Sequence, residues 1–265
     1  MRRLLTLLLL LAVCCACVGQ KEDPDEIDPQ GGVDPGGATE GDRFYHRVLA
    51  LDFTATWCQY CPNMTEALMT AKQQRPGRIV EIAVHYSDAM SAPESEILVQ
   101  RFKVSAFPTA LLDLDSDTRF TRQEAERFTT YVDKTVPLPT CGMALASSYK
   151  DGVLSLSLSV QAAAEGSYAV AAALVEDGII ADQTGAGSQY VNNAVLRGFL
   201  GEGMDGKSIG SLKAGEERTL TLSAQLKGLS DRIRIVAYVL RDGAVINADS
   251  CSLNETSGYE YEPDA

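Results

Sequence analysis

The chain has 265 residues, of which 45% are hydrophobic and 22% are charged. These proportions are typical of a soluble globular protein with one large domain or two ordinary ones. The formal net charge is −13 at pH 7. Because phosphate binding requires clustered Lys and Arg, this acidic balance argues against nucleic acid as a partner.

The first 16 residues are predicted to be a signal peptide of the lipoprotein type. Two arginines precede an apolar run that is too short for a membrane span of about 20 residues. The run ends at cysteines, where Ala16 precedes Cys17 as in a bacterial lipoprotein cleavage site. This resemblance implies a lipid on Cys17; Cys14 and Cys15 are the alternative sites, and an ordinary secretory signal is the alternative segment. Under each of these interpretations the protein is exported to a compartment in which disulfides persist.

Residues 17–42 are predicted to be a disordered tether. Pro, Gly and acidic residues dominate this segment, apolar residues are rare, and no periodicity is present. We expect such a tether to hold a folded body away from the membrane in which the lipid is anchored.

Strands and helices alternate over residues 43–138, which predicts a compact α/β domain. The apolar run at 47–54 is typical of a strand buried on both faces, and residues 79–85 and 110–114 predict further strands. Apolar residues recur at helical spacing between and after these strands. Residues 118–120 predict one more short strand.

Residues 139–254 are predicted to form an all-β sandwich of the immunoglobulin-like type, and a Pro-x-Pro sequence marks its start. Residues 153–160 alternate between polar and apolar, which is typical of a half-buried strand. Short strands separated by turn residues favour a sandwich. The other candidate strands are 143–149, 168–175, 218–226, 233–240 and 244–248. The glycine-rich region 185–210 is predicted to be a long loop or irregular crossing, and residues 255–265 a frayed, acidic tail.

Two cysteines, Cys58 and Cys61, stand at the predicted start of the first helix. The free N–H groups and the dipole of a helix terminus favour a thiolate, which lowers the pKa of the first cysteine. A thiolate attacks a disulfide, and the second cysteine is close enough to resolve the mixed disulfide. The alternatives are a static disulfide and a metal site. A closed zinc site needs four ligands, whereas the chain has only two histidines and no second Cys-x-x-Cys, so we predict no metal or cofactor.

Three elements of this half resemble the thioredoxin superfamily. They are Trp57-Cys58-Gln59-Tyr60-Cys61, Phe107-Pro108-Thr109 and Asp52. The resemblance implies that Cys58 is the nucleophile, Cys61 the resolving thiol and Asp52 a buried acid that assists proton transfer at Cys61. It also implies a cis proline, Pro108, in a loop that faces the disulfide.

The residues expected to contact a substrate are Trp57, Tyr60, Phe107, Pro108 and Thr109. Tyr60 either packs against a partner or lies on the protein's own surface. Gln59 and Tyr60 replace the Gly-Pro of thioredoxins, so the direction of electron flow is not predicted.

Over residues 43–252 the chain also resembles the Omp28-related outer-membrane lipoproteins of Bacteroidetes. The resemblance rests on residues 52–62, on Asn193-Ala194-Val195-Leu196-Arg197 and on the β-rich second half. It implies an exported, surface-associated protein with a thioredoxin-like domain and no settled activity. No chemistry is assigned to residues 193–197.

The cysteines Cys141 and Cys251 bracket the β-rich half. In an exported protein two such residues can pair, and this disulfide would close a loop of about 110 residues, worth of order 4–5 kcal/mol in the chain-entropy model. The alternatives are two buried free thiols and a relay partner for the Cys58–Cys61 pair.

Two functions are consistent with these features. The first is a membrane-anchored thiol–disulfide oxidoreductase whose partners are protein thiols and disulfides. The second is a non-catalytic surface binding or adhesion lipoprotein in which the thioredoxin-like domain is a scaffold. An accessible Cys58 beside Pro108 favours the first function and a covered Cys58 the second; the oligomeric state is left open.

Overall fold

The computed structural model describes residues 43–263 except positions 139 and 227. The predicted signal peptide, the tether and Cys17 lie outside these residues. The first half contains β1 (Val48–Thr54), α1 (Cys61–Gln74), β2 (Ile79–His85), α2 (Ser95–Arg101), β3 (Thr109–Leu112), β4 (Asp115–Phe120) and α3 (Ala125–Thr135). No helix in the described part of the chain is long and apolar enough to cross a membrane.

The second half consists of strands. They are β5 (Gly142–Lys150), β6 (Val153–Gln161), β7 (Gly166–Glu176), β8 (Ile179–Gln183), β9 (Gly187–Asn192), β10 (Val195–Leu200), β11 (Lys207–Leu212), β12 (Glu217–Gln225), β13 (Ile233–Arg241), β14 (Ala244–Ser252) and β15 (Thr256–Ser257).

Strand β1 is the centre of the α/β half. Every residue of β1 is buried, as expected for an apolar strand covered on both faces. It pairs in parallel with β2 and antiparallel with β3. Apolar residues of α1 and α3, such as Leu68 and Phe128, pack together against one face of this sheet. The predicted α/β fold of this half is confirmed.

The sheet of the α/β half continues into the second half of the chain. Among the described residues, nine strands form this one sheet, with the order β14-β13-β7-β10-β2-β1-β3-β4 and β11 paired with β7. Strand β10 makes the junction, because it pairs in parallel with β2 at Val195 and Ala83 and antiparallel with β7. The two halves therefore share backbone hydrogen bonds and are not merely tethered to each other.

A second sheet, ordered β12-β6-β5-β15, packs against the β-rich end of the first. Strand β6 explains the strict alternation seen in the sequence, since Leu154, Leu156, Leu158 and Val160 are all fully buried while the intervening residues are partly exposed. These side chains meet residues of β7 and β13, such as Ile235, in a common core. The predicted β-sandwich is confirmed.

The prediction of a long loop at 185–210 is wrong. This region contains β9 and β10 and the first part of β11. Its strands carry β-bulges, one of which lies between Leu196 and Gly198 and another between Ser208 and Gly210. Both glycines have positive φ, +148° and +89° respectively. Because each bulge shifts the period-two pattern by one residue, the alternation that reveals a strand is lost from the sequence.

The C-terminal residues are also more ordered than the predicted frayed tail. Strand β15 pairs with β5, and Tyr261 forms an isolated bridge with Phe44. Glu262 forms an ion pair with Arg78 and accepts a hydrogen bond from the His46 backbone N–H at 3.2 Å. The C-terminal residues therefore pack against the first residues of the described chain.

Candidate functional site

The Cys58–Cys61 pair forms a disulfide in the turn that joins β1 to α1, with the two Cα atoms 5.4 Å apart. Cys61 is the first residue of α1, and Pro62 occupies the first turn, where a missing N–H costs no helical hydrogen bond. The turn is closed by hydrogen bonds from the Cys58 N–H to the Ala55 carbonyl and from the Cys61 N–H to the Cys58 carbonyl. The sequence prediction placed both cysteines correctly.

Exposure differs sharply between the disulfide and its neighbours. Cys58 is 4% exposed, whereas Trp57 is 47% exposed and Tyr60 is 59% exposed. Two large aromatic side chains therefore flank a sulfur pair that solvent barely reaches.

The loop before β3 covers the disulfide on one side. The Phe107–Pro108 peptide bond is cis, as the thioredoxin resemblance implies. Phe107 packs against the cluster formed by Ala55, Cys58 and Cys61. Thr109 is buried, and its hydroxyl donates to the Ala106 carbonyl at 2.8 Å, so its side chain shapes the loop rather than presenting itself at the surface.

An aromatic cluster joins this loop to the cysteine turn. The rings of Trp57 and Phe107 meet edge to face at a centroid distance of 5.2 Å, and Tyr86 stacks on Phe107 at 5.5 Å. The Trp57 indole N–H donates to the Tyr86 carbonyl at 3.0 Å. Tyr86 follows directly after β2 and gave no motif by which the sequence would reveal it.

A cleft of about 430 Å³ opens beside Tyr86. Its lining residues are mostly polar and come from the segment that joins β2 to α2 and from the first turn of α2. The lining residues are Tyr86, Ser87, Asp88, Ser91, Ala92, Ser95 and Glu96. Because Tyr86 also stacks on Phe107, the cleft adjoins the aromatic cluster at the disulfide.

Asp88 fixes the start of the cysteine turn. Its Oδ2 accepts the Thr56 backbone N–H at 2.8 Å and lies 2.8 Å from Nδ1 of His85, while Oδ1 accepts the Met90 N–H. Burial raises the pKa of Asp88, but the hydrogen bonds from His85, Thr56 and Met90 and the charge of His85 together outweigh burial, so the pKa lies below its ordinary value. This carboxylate was missed by the sequence analysis.

Asp52 lies in the middle of β1 and is 1% exposed, as predicted. Its Oδ1 atom has no hydrogen-bond partner among the described residues. Burial raises the pKa of Asp52 well above its ordinary value; the charge of Glu81 adds to this effect and that of Lys72 opposes it. A buried carboxyl in this state can hold a proton at a pH at which an exposed aspartate cannot.

The β8–β9 hairpin from the second half of the chain lies against the cysteine turn. The Gln183 side-chain amide donates to the Ala55 carbonyl at 3.1 Å and to the Cys58 carbonyl at 2.9 Å. The Thr184 N–H donates to the Thr56 carbonyl at 2.8 Å. No sequence signal indicated this contact, because the hairpin lies in the region that was predicted to be a loop.

Tyr190, on the second strand of the hairpin, extends the contact toward Asp52. Burial raises the pKa of Tyr190; a hydrogen bond with Thr65 opposes this rise, and the negative charges of Asp52 and Glu81 add to it. The hairpin thus lies near both the disulfide and the buried acid.

Cys141 and Cys251 form no disulfide with each other in the structure; both are buried free thiols. They lie in the sandwich core, whereas Cys58 and Cys61 form a separate cluster with Ala55. Burial raises the pKa of Cys141 to about 12 and that of Cys251 to about 11. Since the thiolate is the reactive form, these pKa values also argue against the relay alternative.

Within the part of the chain that the structure describes, no group of three or more His, Cys, Asp or Glu side chains is arranged to hold a metal ion.

Known protein families match both halves of the chain. The family model "Outer membrane protein Omp28" matches residues 95–257, which is more than half of the chain, and the thioredoxin model matches residues 42–134. No curated protein matches the chain. The thioredoxin-like domain followed by a mostly β domain is therefore confirmed by the matches as well as by the structure.

Two solved structures share this architecture. HBP35 of Porphyromonas gingivalis aligns with a TM-score of 0.69 and 19% identity, over 81% of this chain and 77% of that one. The protein AGR_C_4864 from Agrobacterium tumefaciens aligns with a TM-score of 0.55 and 14% identity, over 82% of this chain and 99% of that one. At these identities the likeness concerns the fold alone.

Proposed function

This chain belongs to the Omp28 family of outer membrane proteins, and we propose that it acts in the cell envelope as a thiol–disulfide oxidoreductase. The proposal rests on one observation: the Cys58–Cys61 disulfide lies at the start of α1 and packs against the Phe107–Pro108 loop. Its substrates are protein disulfides and thiols.

The proposed reaction moves two electrons between this pair and a substrate disulfide. In the reduced protein, the Cys58 thiolate attacks one substrate sulfur, and the other substrate sulfur leaves as a thiolate that takes up a proton. Cys61, once deprotonated, attacks the Cys58 sulfur and releases the second substrate thiolate. The products are the Cys58–Cys61 disulfide and a substrate dithiol, and the reverse sequence oxidises a dithiol.

Asp52 is proposed to exchange the proton of Cys61. Its support is chemical: the carboxyl is buried, Oδ1 is unpartnered among the described residues, and burial raises its pKa, so the group can hold a proton at a pH at which an exposed aspartate has released it.

A substrate chain is proposed to lie across Trp57, Tyr60 and the Pro108 loop. The exposed aromatic side chains offer apolar contact area at low cost in side-chain entropy. The cleft beside Tyr86 provides room for a neighbouring substrate side chain.

Reduction of insulin disulfides by the full chain in the presence of dithiothreitol tests the proposal. We expect Cys58→Ser to abolish the reaction. Cys61→Ser, reduced first and mixed with insulin after the dithiothreitol is removed, should accumulate a mixed disulfide through Cys58, because the resolving thiol is gone. Cys141→Ser is the matched control, since it removes a buried thiol from the sandwich core and should leave the rate unchanged. Equal rates for the wild type and Cys58→Ser would refute the proposal.

The low exposure of Cys58 favours a second candidate, a non-catalytic surface binding lipoprotein whose thioredoxin-like domain is a scaffold. The same assay separates the two. A wild-type protein that is inert toward insulin, and whose disulfide resists mild reductant, supports the scaffold.

We also propose that a lipid on Cys17 anchors the protein, on the strength of the signal-peptide pattern before it. Cells that express the full chain should incorporate labelled fatty acid into it, and Cys17→Ser should lose the label and leave the membrane fraction. Cys14→Ser and Cys15→Ser are the matched controls. Retention of the label by Cys17→Ser would assign the lipid elsewhere.

A further inference from the structure

We propose that Gln183 is a positioning residue for the Cys58–Cys61 pair, through which the β8–β9 hairpin sets the reduction potential of the disulfide. The biological meaning of this inference rests on the proposed redox function. The hairpin belongs to the second half of the chain, so that half takes part in the chemistry of the first.

Gln183 binds the two carbonyl groups that close the cysteine turn. The Ala55 carbonyl already accepts the Cys58 N–H and the Cys58 carbonyl accepts the Cys61 N–H, and the Gln183 amide nitrogen donates to both oxygens. Gln183 is 2% exposed. Burying an amide without hydrogen bonds to its N–H donors is costly, and the two carbonyl groups of the cysteine turn accept the hydrogen bonds of the Gln183 amide.

The tip of the hairpin touches the residues between the two cysteines. Gly185 has φ +86°, and a Cβ at this position would lie 2.5 Å from the Gln59 carbonyl oxygen. A side chain is therefore excluded both by the backbone conformation and by the contact. The hairpin thus touches the turn at Ala55, Thr56, Cys58 and Gln59.

These contacts, together with the hydrogen bond between Tyr190 and Thr65, hold the hairpin against the first half of the chain. Within the described residues, β8 and β9 pair with each other and not with either large sheet. Ile180 and Val191, which face each other on the outward side, are exposed and add no core. Because an isolated two-stranded hairpin is marginally stable, its position depends on the inward-facing contacts, with Gln183 the most buried of them.

The position of Gln183 couples the hairpin to the redox state. Reduction breaks the bond between the sulfurs and lets Cys58 move relative to Cys61. A group that binds one state more strongly than the other shifts the equilibrium between them by the difference. The hydrogen bond to the Cys58 carbonyl is seen in the disulfide form, and in this proposal it is stronger there than in the dithiol form. Removing the donor should therefore make the disulfide easier to reduce.

The test is the reduction potential of the full-length protein carrying Gln183→Met, which keeps the chain length of the side chain but removes the donor. The protein is equilibrated in glutathione buffers, and the thiols of Cys58 and Cys61 are trapped and counted by mass spectrometry. We expect an approximately tenfold shift toward the dithiol, equivalent to about 30 mV for a two-electron couple. Gln189→Met is the matched control, because this exposed glutamine of the same hairpin donates to the adjacent Ser188 carbonyl; its potential should equal that of the wild type.

A second variant decides the matter if Gln183→Met does not fold. Gly185→Ala, at the exposed tip, forces the hairpin away from Gln59 and should shift the potential in the same direction. A folded Gln183→Met with the wild-type potential overturns the inference. If Gln183→Met does not fold, a wild-type potential in Gly185→Ala overturns it. The potential can be measured without catalysis, so the two proposals fail separately. If the variant shifts the potential but the wild type is inert toward insulin, only the proposed function is refuted. If the wild type is active but the variant leaves the potential unshifted, only the role of Gln183 is refuted.

Discussion

At the scale of a single residue, Asp52 belongs to the candidate site and also makes the stability of the fold depend on pH. Burial raises the pKa of this carboxyl well above the value of 3.8 that it has when exposed. Between these two pKa values, the native state holds a proton that the unfolded state has released. The free energy of unfolding therefore falls as the pH rises through this window. The stabilisation that comes from the protonated Asp52 is fully present only below about pH 4.

Replacing Asp52 by Asn should remove this decline, because the amide has the same shape but does not titrate. The stability of the wild type relative to Asp52→Asn should fall by up to about 1.4 kcal/mol per pH unit above about pH 4, as measured by urea unfolding at several pH values. Insulin reduction should also slow, by roughly a hundredfold if Asp52 supplies a typical acid–base contribution.

Asp113 provides the matched control for the activity measurement. It is another buried aspartate, with a pKa raised to about 7 by burial, and it bonds the Leu49 N–H and the Tyr131 hydroxyl. Asp113→Asn should flatten the pH dependence without slowing insulin reduction. Stability curves of the wild type and Asp52→Asn that run parallel across this pH range would show that the pKa of Asp52 is not raised in the native state.

The residues of the site that could be predicted from the sequence are those whose chemistry and spacing are local. Cys58 and Cys61 form a motif by themselves, and Asp52 and Pro108 stand at recognisable positions along one domain. Gln183 could not be predicted, since it contacts Cys58 across 125 positions of the chain. A lone glutamine carries no pattern until the fold brings it to its partners.

At the scale of elements, β10 gives the motif at 193–197 a structural role. The Ala194 carbonyl accepts the Ala83 N–H from β2 at 2.8 Å, and the Ala194 N–H donates to Asp177 at 2.7 Å. Asn193 accepts the Gly178 N–H, and Arg197 forms an ion pair with Glu176. The motif joins the strand of the α/β half to the strands of the β half.

Strands were predictable where one strand carries its own pattern. The continuous apolar run of β1 and the alternation of β6 each follow from the burial of that strand alone. Strand β10 instead is positioned by its pairing with β2 on one side and β7 on the other, and it carries a bulge before Gly198. The fold class of each half was therefore predictable, whereas the sheet that unites them was not.

At the scale of the whole molecule, the two halves also share an apolar core. Leu51, Ile82 and Leu98 from the α/β half lie in one cluster with Leu196 and Val236 from the β half. Each fully buried side chain of this kind contributes about 1.5–3 kcal/mol, so losing several would remove much of the roughly 5–15 kcal/mol that stabilises a typical domain.

The two halves should therefore unfold together. Trp57, the single tryptophan of the chain, reports on the α/β half, while pulse labelling of the buried free thiols Cys141 and Cys251 reports on the second half. In urea both signals from the chain beginning at residue 43 should change in one coincident transition.

A fragment of residues 43–138 provides the complementary measurement. It would expose the edge of β2 that pairs with β10 and the apolar face that Leu196 and Val236 cover, so we expect its Trp57 signal to lack a cooperative transition. Two separate transitions in the longer chain, or a fragment whose urea midpoint equals that of the longer chain, would instead show two independent domains. In that case the shared sheet would add little to the stability of the thioredoxin-like half.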